Sequence, residues 1–92
     1  MIKNVELSRN AEKDIKRLPK QIRNKLLAWI EAIEEIGLEE VRKSKGLHDE
    51  PLKGKRAGQR SIRLNKAYRA IYKVVKKRIE IAIVEEVNKH EY

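Results

Sequence analysis

The chain has 92 residues, contains neither cysteine nor phenylalanine, and carries a net charge of +9. Its length suits one compact domain with a small core, and no Pro- or Gly-rich linker divides it, so residues 1–92 read as a single domain. The lack of cysteine excludes disulfides, thiolate catalysis and Cys-ligated zinc. Apolar runs such as Ile81 to Val84 are too short for a signal core or a membrane span, so a cytoplasmic protein is the expectation.

The first expected element is a short strand over Ile2 to Leu7, with apolar residues at 2, 5 and 7. Ser8 suits a helix N-cap, and Ala11, Ile15 and Leu18 recur at helical spacing as far as Pro19, which stops one helix and can open the next. Ile22, Leu26, Trp29, Ile30, Ile33 and Ile36 then form one apolar stripe ending at Gly37, the pattern of a longer amphipathic helix with a glycine at its C-terminus. Leu38 and Val41 allow one further turn, and His48 to Gly58 reads as a loop. Alternation resumes at Ile62 and Leu64, then at Tyr68, Ala70, Tyr72 and Val74, with Asn65-Lys66-Ala67 as the turn between. The polar turn Lys76-Lys77-Arg78 leads to Ile79, Ile81 and Ile83 in a last strand reaching Val87. The expected fold is α+β, in the order β-α-α-β-β-β, with two N-terminal helices packed on one face of a small antiparallel sheet and the other face open.

Charge is spread unevenly along the chain. Residues 1–50 carry eleven basic and ten acidic side chains, residues 51–92 twelve and four, and the stretch from Lys53 to Arg78 holds eleven cations without one carboxylate. Such a run makes a field that draws in phosphate backbones; the blander reading is a solvated basic face. Chemistry on a phosphodiester needs proton-transfer groups as well. Histidine is the side chain suited to that task near neutral pH, and the chain has two, His48 and His90, the first adjoined by Asp49 and Glu50. Lys53, Arg56 and Arg69 offer charge and guanidinium forks to a phosphate, and Tyr92 can stack on a base or donate a proton. Three consecutive residues, His48-Asp49-Glu50, do not converge on one ion, and no metal site is expected. Gly54 and Gly58 flank Lys55-Arg56-Ala57 without the Gly-Lys-Ser/Thr of a nucleotide-binding loop, which argues against NTP hydrolysis.

Pro51-Leu52-Lys53-Gly54, then Arg56-Ala57-Gly58-Gln59-Arg60-Ser61-Ile62, then Tyr68-Arg69-Ala70-Ile71 together resemble the signature of RelE/ParE-type toxins, the HigB-like branch in particular. The segment from Leu7 to Pro19 is similar to the family's first helix, and the resemblance spans almost the whole chain. It implies a toxin of a type II toxin–antitoxin system, of β-α-α-β-β-β fold, that cleaves translated mRNA in the ribosomal A site without metal or other cofactor. In that reaction the ribose 2′-OH attacks its adjacent phosphate, leaving a cyclic phosphate and a free 5′-OH. The implied partners are a cognate, HigA-like antitoxin and the ribosome with bound mRNA. By the same resemblance Lys53 stabilises charge on the phosphate and Arg69 braces the transition state. His90 and Tyr92 would transfer protons and stack on a base, standing in for the adjacent Tyr-His with which HigB-like toxins commonly end, with His48 and Glu50 as substitutes. Lys55, Arg56, Arg60, Arg63 and Lys66 would grip the RNA backbone. Two other readings stay open: a ParE-like inhibitor of DNA gyrase with no hydrolytic site, and a non-catalytic RNA- or ribosome-binding module.

Overall fold

A computed structural model describes residues 1–86 and arranges them as three α-helices on a five-stranded sheet. In chain order the elements are β1 (Asn4–Leu7), α1 (Arg9–Arg17), α2 (Lys20–Ile36), α3 (Leu38–Val41), β2 (Glu50–Pro51), β3 (Arg60–Arg63), β4 (Tyr68–Val75) and β5 (Arg78–Glu86), with 3-10 turns at Lys45–Leu47 and Gly54–Arg56. The strands lie in the order β1-β5-β4-β3-β2. The meander β3-β4-β5 is antiparallel as the short turns require. β1 departs from the expected all-antiparallel sheet: it runs parallel to β5, with Val5 opposite Ile79 and Leu7 opposite Ile81. The intervening helices supply the long crossover that a parallel pair needs. β2, inside the expected loop, has two residues, too few for any alternation to show.

Local chemistry fixes the helix ends. The Ser8 hydroxyl accepts from the Ala11 N–H at 3.0 Å, capping α1, and donates to the Ala82 carbonyl at 2.5 Å, tying that cap to β5. Pro19 stands as the N-cap of α2, and Gly37 ends that helix at φ 89°, in the left-handed region. A Cβ at Gly37 would come within 2.7 Å of Met1 Cγ, so the glycine serves both the turn and the close approach. From α2, Ile22, Leu26, Trp29 and Ile33 pack onto Ile62, Leu64, Ala70, Tyr72, Ile79 and Ile81 of the sheet side. Ile36, the end of the apolar stripe, is 49% exposed. The Trp29 and Tyr72 rings meet at 5.3 Å with their planes tilted by 52°.

One irregularity decides which side chains reach the open face. Ile71 pairs with Ile83 but Tyr72 pairs with Ile81, so Ala82 is an extra residue on β5. Ile79 and Ile81 therefore belong to the helix-covered face, whereas Ile83 and Glu85 turn to the open one. Among the described residues no helix is long and apolar enough to cross a membrane.

Candidate functional site: a cleft on the open sheet face

Arg63, Arg69 and Glu85 stand directly opposite one another across β3, β4 and β5. The neighbouring row on the same face is Glu50, Ser61, Ile71 and Ile83. Two arginines facing each other across a ladder repel. Glu85 offsets part of this: its Oε2 accepts from Arg69 Nη2 at 3.2 Å and its Oε1 accepts from Arg56 Nη1 at 2.8 Å. One carboxylate thus serves two guanidiniums, and none of the ion pairs among the described residues includes Arg63. Arg69 is half-buried, with its Nε enclosed and without a hydrogen-bond partner. The three guanidiniums leave an excess of positive charge directed outward, which suits a phosphate.

Beside this row lies a cleft of about 250 Å³ lined by His48, Glu50, Ser61, Arg63, Asn65, Lys66, Tyr68 and Arg69. Its walls are locally braced. The Asn65 side-chain carbonyl accepts from the N–H groups of Ala67 and Tyr68 at 2.7 and 2.8 Å, an Asx turn that sets Lys66 at the rim. His48 closes the turn Lys45–Leu47 in left-handed backbone, φ 47° and ψ 50°. Asp49 turns the other way, its side chain 2% exposed. Asp49 Oδ1 accepts from Arg60 Nε at 2.5 Å, Oδ2 accepts from the Tyr72 hydroxyl at 2.5 Å, and the Asp49 carbonyl accepts from Arg60 Nη2 at 3.2 Å. The Asp49 hydrogen bond raises the pKa of Arg60 above its ordinary value. Burial, reinforced by the hydrogen bond and charge of Asp49, pushes the Tyr72 phenol up to about 12.

The structure therefore gathers His48, Glu50, Arg63, Lys66 and Arg69 into one cleft, with Arg56 joined through Glu85. It separates Arg60 from them. Arg60 sits opposite Tyr72 in the ladder, on the helix-covered side, and its guanidinium is committed to Asp49, so it is not part of the open basic face. Lys53 and Lys55 are exposed on the loop around Gly54 and do not line the cleft. His90 and Tyr92 lie outside the described residues. The sequence reading missed the roles of Glu85, Asp49 and Tyr72. For Tyr72 a signal existed, since a buried phenol hydroxyl needs a partner. Among the described residues no group of three or more His, Asp or Glu side chains is placed to hold a metal ion. Chemically, a carboxylate and an imidazole beside guanidiniums can hold a phosphate and move a proton next to it.

Comparison with known proteins supports the same fold. The sequence profile described as the ParE toxin of the type II toxin–antitoxin system parDE matches residues 5–91. The archaeal RelE–RelB complex from Pyrococcus horikoshii OT3 superposes with a TM-score of 0.73 at 26% identity, over 97% of this chain and 99% of that one. The YoeB–YefM complex from Staphylococcus aureus gives 0.71 at 25% identity, over 92% and 97%. YafQ from E. coli strain BL21(DE3) gives 0.74 at 22% identity, over 91% and 92%, a likeness of fold. No curated protein sequence matches the chain.

Proposed function

The chain belongs to the ParE toxin family of type II toxin–antitoxin systems, and from that premise we propose that it is a ribosome-dependent endoribonuclease that cleaves translated mRNA. The observation that carries this reading is the single cleft in which His48 and Glu50 meet Arg63, Lys66 and Arg69. A surface that only bound a polyanion would need the cations and not the proton-transfer groups beside them.

In the proposed reaction Arg69, steadied by Glu85, and Arg63 hold the non-bridging oxygens of the scissile phosphate and offset charge that grows in the transition state. Glu50 takes the proton of the ribose 2′-OH as that oxygen attacks phosphorus. The bond from phosphorus to the 5′-oxygen breaks, and an imidazole, His48 in the cleft or His90 from the C-terminal segment, returns a proton to that oxygen. The products are a 2′,3′-cyclic phosphate and a 5′-OH end, and the scheme uses side chains alone. Lys53, Lys55 and Arg56 extend the grip along the RNA backbone, and Tyr92 stacks on a base. The Pro51–Gly54 and Arg56–Ile62 elements favour the HigB-like branch. The whole chain acts as one domain, in the cytoplasm, where its ribosomal target is.

The solved relatives described as RelE–RelB and YoeB–YefM complexes support a cognate antitoxin as partner. An acidic or amphipathic segment of a HigA-like antitoxin would cover the basic cleft. A second reading, inhibition of DNA gyrase, is favoured by the ParE profile itself. Induction in bacteria with mapping of new 5′-OH mRNA ends separates the two. In-frame cuts in translated messages, lost with Arg69→Ala, support the endonuclease. Growth arrest without cuts but with loss of DNA supercoiling supports the gyrase reading, and ribosome binding with neither effect leaves a binding module.

A further inference from the structure

We infer that Asp49, held by Arg60 and Tyr72, is the positioning residue that sets Glu50 over the phosphate site; the inference rests on the endonuclease reading of that site. Glu50 sits on β2, an edge strand of two residues, one of them Pro51, which has no N–H to give to the ladder. The next backbone bond, from Leu52 N–H to the Gln59 carbonyl at 2.9 Å, is the last before the loop around Gly54. On the other side the chain enters through His48, in left-handed backbone that a non-glycine residue seldom adopts. Backbone bonding alone is a weak anchor for a group that must meet a reacting atom.

The anchor is the side chain between them. Asp49 is enclosed on the helix-covered side and takes three hydrogen bonds, two from Arg60 and one from Tyr72. Arg42 and Arg60 are further charged groups acting on the Tyr72 hydroxyl. Tyr72 is fully buried near the middle of β4, and its ring rests on Trp29. In extended backbone neighbouring side chains point to opposite faces. Fixing Asp49 inward therefore obliges Glu50 outward, opposite Ser61 and one row from Arg63 and Arg69. Position runs from the core through Trp29, Tyr72 and Asp49 to the carboxylate on the far side of the sheet. A misplacement of about 1 Å at a reacting group can cost about 100-fold in rate.

The test uses the intact toxin with Asp49→Asn, which keeps the shape and removes the charge, and Tyr72→Phe, which keeps the ring and removes one hydroxyl. Cleavage of mRNA on programmed ribosomes gives kcat and KM; amide hydrogen exchange is followed at Leu52, with Ile71 and Ile81 as references. The strut predicts that kcat falls about 10- to 100-fold for Asp49→Asn and about 3- to 10-fold for Tyr72→Phe, with KM within about 3-fold. It also predicts Leu52 exchange about 10-fold faster, with the references unchanged. Wild-type kcat and wild-type Leu52 protection in both variants would overturn it, as would equal acceleration at all three amides, which signals lost global stability. If the wild-type protein cuts no RNA, the endonuclease reading fails, while Leu52 exchange still decides whether Asp49 holds β2.

Discussion

The two ends of the open sheet face use the same residue types to opposite effect. Toward the β4–β5 turn, Lys73 Nζ lies 3.4 Å from Glu80. Arg78 Nε lies 3.0 Å from Glu6, an ion pair by distance without the alignment of a hydrogen bond. Lys73 and Arg78 on the strands thus each have a carboxylate of their own, while Lys76 and Lys77 form the turn itself. Toward the β3–β4 turn, Arg56 and Arg69 share Glu85, Arg63 faces Arg69, and Lys66 stands at the rim. Uncompensated like charges oppose the folded state, and the deficit of carboxylate at one end is what a bound phosphate would fill. The basic run from Lys53 to Arg78 thus spans two surfaces, and the proposed phosphate site lies on the one where two guanidiniums share a carboxylate and Arg63, among the described residues, has none.

The comparison is broken most directly at Arg69. Arg69→Ala should lower cleavage about 100- to 1000-fold while ribosome affinity falls about 10-fold or less, because the remaining cations still meet the backbone; parallel rate and binding measurements check both. Glu50→Gln comes next. It should cost about 100-fold in kcat with little change in KM when cleavage is followed on programmed ribosomes.

Much of this was legible in the sequence, and the failures have particular causes. Periodicity placed α1, α2 and the meander because each repeats its pattern over several residues. β2 was not legible, since two residues carry no period. Nor was the role of Glu85: strict alternation puts it on the side of Ile79 and Ile81, and the extra residue Ala82 reverses that, bringing it opposite Arg69. Arg60 looked like one more cation of the basic run, and its commitment to Asp49 depends on a register that the sequence does not display. Lys53 matched a motif, yet its place is a loop beside the cleft.

Two smaller effects sharpen the contrast. Tyr72 has its pKa raised to about 12, so the folded state favours the neutral phenol. That contribution is intact below about pH 10, the ordinary phenol value, and is lost as pH rises toward 12, at most about 2–3 kcal/mol. Urea unfolding from pH 9 to 12 should show this loss in the wild type and a shallower decline in Tyr72→Phe. At the compensated end, Lys73→Ala and Arg78→Ala should each leave cleavage within about 2-fold and change stability by about 0–1 kcal/mol, the scale of exposed ion pairs. A large loss of activity there would erase the distinction between the two ends.

The central claim, that the carboxylate-poor end holds a phosphate while a neighbouring 2′-OH attacks it, is tested most directly with ribosomes programmed with mRNA carrying a single 2′-deoxynucleotide at the cut position. The account predicts full cleavage of the all-ribose message to a cyclic phosphate and a 5′-OH end, no cleavage at the deoxy position, and equal binding of the toxin to both complexes. Cleavage of the deoxy message would contradict it by showing another nucleophile.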